Sequence, residues 1–82
     1  MPRHEVLLFA AAAQLTASDA IDVDVAAPVT AQAVLVAIGQ QAPQLASLLP
    51  ACRLAVDQVF VTPDFPIDPG AEIALIPPVS GG

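Results

Sequence analysis

The chain is 82 residues long, 56% hydrophobic and 12% charged, with a formal net charge of −6. This length allows one small domain, and this hydrophobicity predicts a packed core and excludes a disordered segment. The only cations are Arg3 and Arg53, which excludes the basic surface that a nucleic acid requires. The acidic composition favours protein partners with basic clefts, although acidity also keeps a small protein soluble.

The N-terminal part of the chain predicts two strands. Residues 5–10 (EVLLFA) are rich in β-forming residues, and the alanine-rich residues that follow, as far as Ser18, read as a turn region. Residues 21–27 (IDVDVAA) alternate apolar side chains with aspartates, the pattern of a strand with one face in water.

A single helix is predicted after the second strand. Thr30 is a suitable N-cap, and Pro43 closes the segment. Residues 43–50 (PQLASLLP) are short and bounded by prolines, so they predict one helical turn that plugs the core. The side chains that share one helical stripe are Val34, Leu35, Ile38 and Ala42.

The C-terminal half predicts three more strands. CRLAV and QVFV flank Asp57 and Gln58 at the spacing of a tight hairpin, and residues 63–70 form a loop. Residues 72–76 (EIALI) are the last strand, which Pro77 ends. The order ββαβββ predicts an α+β domain over residues 1–76, with one sheet, one helix laid across it, and an extended, flexible tail over residues 77–82.

The alternation of side chains along the last strands predicts an exposed apolar patch. Phe60 and Ile76 face away from the predicted core and surface together, with Phe9 from the first strand. Such a patch is a plausible dock for a protein partner, whereas the alternative is that Phe9 and Phe60 belong to the core. The side chains expected to fill the core on this reading are Val59, Val61, Ile73 and Leu75.

No side chain in the sequence is a clear candidate for catalysis or metal binding. Cys52 is the only cysteine, so neither an intrachain disulfide nor a multi-cysteine metal site is expected, and a reducing, cytoplasmic compartment fits best. The carboxylates are scattered, and there is no glycine-rich phosphate loop. The opening residues imitate a secretory signal, but Glu5 interrupts that pattern. No apolar stretch approaches the roughly 18 residues of a membrane span, so no membrane segment is expected.

Three stretches carry a family resemblance: VLLFA (6–10), LAVDQ (54–58) and DPGAEIALIPPVSGG (68–82). With the order of elements, they resemble the ubiquitin-like β-grasp fold and, within it, the small, sulfur-carrying subunit of molybdopterin synthase. The end PPVSGG is the sharpest feature, because sulfur carriers of the thiazole pathway share the glycine pair but usually lack the proline pair. The chain departs from the family pattern at residues 10–15 and at Asp57, where asparagine is frequent.

The resemblance implies a chemistry of the chain terminus. An E1-like adenylating enzyme would use ATP to activate the carboxylate of Gly82, which would then become a thiocarboxylate, a C-terminal 1-thioglycine. The large subunit of the synthase would accept this end, and its sulfur would attack the cyclic pterin precursor of the molybdenum cofactor. The chain would bind no cofactor and catalyse nothing alone, but would act in a heterotetrameric synthase. Family positions matching Phe9, Phe60 and Ile76 contribute to the contact with the large subunit.

The tail suits entry into a deep pocket. Glycines at the end remove the Cβ atoms that would widen the chain, and prolines before them hold it extended, which reduces the entropy lost on binding. Six residues reach about 20 Å at roughly 3.3 to 3.6 Å each. The tail consists of Pro77, Pro78, Val79, Ser80, Gly81 and Gly82.

Three other functions remain open from the sequence. The first is a sulfur carrier for thiazole or cysteine biosynthesis. The second is a ubiquitin-like modifier whose terminal glycine is joined to lysines on targets, and the third is a β-grasp interaction module with an inert end. The absence of lysine disfavours the modifier, because the chain cannot build lysine-linked chains on itself.

Overall fold

The structure is a computed structural model and describes residues 3–78. Two short 3₁₀ turns, Pro43–Leu45 and Leu49–Ala51, lie between the second helix (Ala31–Gln41) and the third strand (Arg53–Val56). Among the described residues, no helix is long and apolar enough to cross a membrane. The elements in chain order are β1 Arg3–Leu8, α1 Ala10–Thr16, β2 Ala20–Asp24, α2 Ala31–Gln41, β3 Arg53–Val56, β4 Val59–Phe60 and β5 Ile73–Ile76.

The strands form one mixed sheet in the order β2-β1-β5-β3-β4. The first and last strands of the chain, β1 and β5, lie side by side and parallel, with Val6 opposite Ile73, and every other pairing is antiparallel. Helix α2 packs on one face of the sheet through Val34 and Ile38, both fully buried. The predicted α+β class and the β-grasp arrangement are confirmed.

The core lies between α2 and the inward-facing side chains of the sheet. Leu45 in the first 3₁₀ turn is fully buried, as expected of a plug, although the predicted single turn is two separate turns. The other large core side chains with almost no exposure are Val6, Val23, Val34, Ile38, Ile73 and Leu75.

Side-chain hydrogen bonds hold both ends of α2. The Ala33 N–H donates to the Thr30 side-chain oxygen at 3.1 Å, so the predicted N-cap is confirmed. At the other end, the Gln41 side chain accepts from the Asp24 N–H at 3.0 Å and donates to the Asp24 carbonyl at 2.8 Å. The edge strand β2 ends there, three residues before the predicted end at Ala27.

The alanine-rich connection predicted as a turn region is a helix, α1, and this prediction was wrong. Alanine has the highest helix propensity, and Ala12 is fully buried in the core, which supplies the packing that a seven-residue helix needs. The Thr16 hydroxyl donates to the Ala12 carbonyl at 3.0 Å, and Ala17 ends the helix with φ at 53°. Strand β1 therefore stops at Leu8 instead of Ala10.

The hairpin between β3 and β4 follows the prediction. Asp57 and Gln58 have φ values of 51° and 69°, as a two-residue type I′ turn requires. The Asp57 carboxylate accepts from the Glu72 N–H at 3.0 Å, and the Asp57 N–H donates to the Glu72 carbonyl at 2.8 Å, which ties the turn to the start of β5.

The prediction that Val59 fills the core was wrong. Val59 is 64% exposed, whereas Ile73 and Leu75 are buried and Val61 is partly buried. Val59 belongs to a two-residue strand at the edge of the sheet, and an edge strand has a neighbour on one side only. The alternation of side chains along a strand gives the direction of each side chain, but it does not show whether another element covers that side chain.

Candidate functional site

The candidate site lies on the sheet face opposite α2, at the β4 side. Phe9, Phe60 and Ile76 form the walls of a shallow depression of about 230 Å³, and Ala55 and Ala74 form its floor. The floor alanines are almost fully buried because these larger side chains surround them. The rim is completed by Gln58 and Glu72. We call this surface the apolar patch.

Strand pairing brings the three walls together from distant parts of the chain. Phe9 follows β1, which is parallel to β5 and next to it. Phe60 lies opposite Ala55 in the β3–β4 hairpin, and Ile76 ends β5 opposite Arg53. The sequence placed Phe9 within a strand; it instead lies at the junction of β1 and α1, with φ at −131°.

Both phenylalanines of the apolar patch are substantially exposed. Phe9 is 47% and Phe60 is 49% exposed, so the alternative that both belong to the core is excluded. Ile76 is half-buried. Aromatic side chains exposed together on one surface are typical of an interaction site. The contribution of these residues to an interface stays a prediction.

A positive charge lies directly on the apolar patch. The guanidinium carbon of Arg53 is 4.1 Å from the centre of the Phe60 ring, the geometry of a cation–π contact. Between residues 3 and 78, the one ion pair joins Arg3 and Asp24 at 3.6 Å, so Arg53 has no carboxylate within that distance. Sequence reasoning missed Arg53 as a site residue; the available signal was its place in the predicted strand CRLAV, where alternation puts it on the face opposite Leu54 and Val56.

The tail begins beside Arg53. Pro77 follows β5 directly and is buried against the domain, whereas Pro78 is exposed. Because proline has no N–H to donate, it ends the pairing of β5. The predicted reactive end and its approach, Val79, Ser80, Gly81 and Gly82, lie outside the described residues.

The remaining reactive side chains form no second site in the described part of the chain. Cys52 is half-buried, and burial raises the pKa of its thiol. Residues 3–78 contain no group of three histidine, cysteine, aspartate or glutamate side chains that could hold a metal ion.

Comparison with a protein-family model identifies the relationship. The model of the ThiS family matches residues 6–82, which is nearly the whole chain. The chain belongs to the ThiS family. A search of curated proteins finds no match for this ThiS-family chain.

Solved structures share the fold over almost the full length. SAMP1 from Haloferax volcanii is 27% identical with a TM-score of 0.83, and the match covers 99% of this chain and 100% of that one. A putative molybdopterin converting factor subunit 1 from Pyrococcus furiosus is 18% identical with a TM-score of 0.80, covering 94% and 98%. The family match and the shared fold identify a ubiquitin-like β-grasp protein.

A third match is a protein–protein complex of subunits 1 and 2 of the molybdopterin-converting factor from Helicobacter pylori. The matched chain is 24% identical with a TM-score of 0.67, and the match covers 99% of this chain and 100% of that one. At this identity the likeness, as for the Pyrococcus protein, establishes the fold.

Proposed function

We propose that this chain is the sulfur-carrying small subunit of a molybdopterin synthase. Its large partner subunit covers the apolar patch and takes residues 77–82 into its active site. There the sulfur of a Gly82 thiocarboxylate is given to the cyclic pterin precursor during molybdenum cofactor assembly. The chain supplies no catalytic side chain and serves as the sulfur-donating subunit of a sulfurtransferase.

The proposed chemistry proceeds in three steps at the C-terminal carbon. An E1-like enzyme joins the Gly82 carboxylate to ATP, which forms an acyl-adenylate and releases pyrophosphate. A sulfur donor then replaces AMP, which leaves a thiocarboxylate. Its sulfur attacks a carbon of the precursor and displaces an oxygen substituent from it, and water then cleaves the resulting acyl–sulfur bond, so the sulfur stays on the pterin and Gly82 returns as a carboxylate. A thiocarboxylate is a softer and better nucleophile than a carboxylate near neutral pH. The carboxylate is therefore activated first, so that sulfur can replace one of its oxygens.

The observation that carries the proposal is the position of the apolar patch beside the start of the tail. Ile76 is both a wall of the patch and the last residue of β5. A partner that covers the patch therefore stands next to the point where the tail leaves the domain. The burial of Pro77 supports this arrangement, because it restricts the direction in which the tail departs. The terminal PPVSGG favours this pathway over the thiazole carriers.

The decisive experiment is reconstitution with a defined terminus. The chain ending at Gly82 is incubated with an activating enzyme, ATP and a sulfur donor, and intact-mass analysis should show one oxygen replaced by sulfur. Addition of the large subunit and the cyclic precursor should then produce molybdopterin. Deletion of Gly82 should abolish transfer without loss of folding, since a terminal tail contributes little buried area. Full activity of a chain extended by one residue beyond Gly82, without processing, would refute the proposal.

A ubiquitin-like modifier is the second candidate function. The support is the 27% identity with a Haloferax protein described as small archaeal modifier protein 1. In that case the activated chain should form isopeptide bonds with lysines of other proteins, seen as conjugates of higher mass. A carrier for thiazole or cysteine formation would instead acquire sulfur but fail to produce molybdopterin with the large subunit.

A further inference from the structure

We infer that the apolar patch is polarised by charge, and that the partner subunit covering it carries a carboxylate opposite Arg53 and a basic side chain opposite Glu72. This inference rests on the proposed function, because it takes the large synthase subunit as the partner. It specifies the orientation in which that subunit docks, which the apolar contacts alone do not determine.

The positive end of the apolar patch is Arg53. Its guanidinium lies over the Phe60 ring at 4.1 Å from the ring centre, so any surface that covers Phe60 also removes water from the charge. No carboxylate of residues 3–78 lies within ion-pair distance of Arg53, and a buried charge without a partner is strongly unfavourable. The stacked guanidinium keeps its N–H groups at its edge, the geometry that binds a carboxylate. The covering subunit is therefore expected to supply an acid at this position.

The negative end of the apolar patch is Glu72. This exposed residue forms part of the rim, and its backbone is held by two hydrogen bonds to Asp57, which is itself exposed. The two carboxylates share this end of the patch, and neither has a cation within ion-pair distance among the described residues. A basic side chain of the partner fits here.

Strand geometry sets the distance between the two ends. Arg53 lies opposite Ile76 at the end of β5, and Glu72 immediately precedes the start of β5. Four residues of extended chain separate Glu72 from Ile76, which is about 13 Å at roughly 3.3 Å per residue. The partner surface is therefore apolar in the middle, with an acid near Phe60 and the entrance for the tail and a base toward the other end of β5. A partner docked in the reverse direction places like charges together and is disfavoured.

The test measures binding of the full chain to the large synthase subunit by isothermal titration calorimetry. Arg53→Glu is compared with Arg3→Glu, which changes the net charge equally but lies at the start of β1, paired with Asp24. Loss of a close charge pair predicts that Arg53→Glu raises Kd about 30-fold or more, and that Arg3→Glu changes it by less than about 3-fold. A Lys introduced in place of the partner acid should restore binding to Arg53→Glu.

A variant in which the charges at positions 53 and 72 are exchanged separates the effect of charge position on affinity from the effect of net charge. The double variant Arg53→Glu with Glu72→Arg keeps the net charge and every apolar side chain of the patch, yet it should bind at least as weakly as Arg53→Glu alone. Wild-type affinity in the double variant would overturn the inference, as would equal effects of Arg53→Glu and Arg3→Glu. Thermal unfolding checks that each variant is folded.

A Phe60→Asp variant separates failure of this inference from failure of the proposed function. If Phe60→Asp abolishes binding while Arg53→Glu and Arg3→Glu have equal effects, the patch is the docking surface and only the charge inference fails. If folded Phe60→Asp binds as the wild type does, the docking surface itself is wrong and both proposals fail.

Discussion

Truncation of Phe60 to alanine tests the docking surface quantitatively. Phe60 is 49% exposed, and a phenylalanine has about 150–250 Å² to bury, so roughly 100 Å² remains for a partner to cover. At about 25 cal/mol per Å² this area corresponds to about 2.5 kcal/mol, or about 2 kcal/mol once the remaining alanine methyl is allowed for. The Kd for the large synthase subunit should therefore rise about 30-fold in Phe60→Ala.

The same substitution also affects folding. The other half of Phe60 is covered within the domain, by groups that include the Arg53 guanidinium, so its loss should lower the free energy of unfolding by at most about 2 kcal/mol. A domain of this length has roughly 4–12 kcal/mol of stability, so Phe60→Ala should remain folded. Urea unfolding measures the stability, and calorimetric titration of the folded variant measures the affinity.

Phe65→Ala is the matched control for Phe60→Ala. Phe65 is 40% exposed, and its carbonyl accepts from the N–H of Ala31 at the start of α2, away from the apolar patch. The affinity of this variant should stay within about 2-fold of the wild type, because the partner does not cover it. The apolar patch is not the docking surface if Phe60→Ala, shown to be folded, binds within about 3-fold of the wild type, or if Phe65→Ala weakens binding as much as Phe60→Ala does.

Three further predictions concern the scaffold. Thr30→Ala removes the 3.1 Å hydrogen bond from the Ala33 N–H and should lower the free energy of unfolding, measured with urea, by about 1 kcal/mol. Thr30→Ser should retain most of that free energy. Leu75→Ala empties a fully buried position and should cost about 2–5 kcal/mol by the same assay, so a cost near zero would contradict the assigned core. Because burial raises the pKa of the Cys52 thiol, less thiolate is present at neutral pH; Ellman's reagent should react more slowly with folded protein than with urea-unfolded protein, and equal rates would argue against this.

Features that depend on neighbouring residues in the chain could be predicted from the sequence. The Thr30 cap and the Asp57–Gln58 turn rest on local hydrogen bonds and backbone preferences, and both are confirmed. Helix α1 could not be predicted this way, because seven residues give no clear apolar period and the helix depends on burial of Ala12. The exposure of Val59 was missed for a related reason, since only the complete sheet shows which strand is at its edge.

The candidate site was predicted in part. Alternation along the last strands, together with the family resemblance, selected Phe9, Phe60 and Ile76, which line one surface of the structure. The same reasoning did not find Arg53, because alternation gives the face of a strand but not the ring over which a charge rests. The role proposed for Gly82 stays a prediction of the sequence, since it lies outside the described residues.

The sequence by itself determined the order of the five strands and helix α2, the Thr30 cap, the Asp57–Gln58 turn and the composition of the terminal segment, because each of these depends mainly on residues close together in the chain. Only the tertiary structure decided that Phe9, near one end, and Ile76, near the other, share a surface. The parallel pairing of β1 with β5 produces that meeting. Such a pairing closes a loop of almost the whole chain, and the free energy that supports it comes from the common core, to which all parts of the sequence contribute.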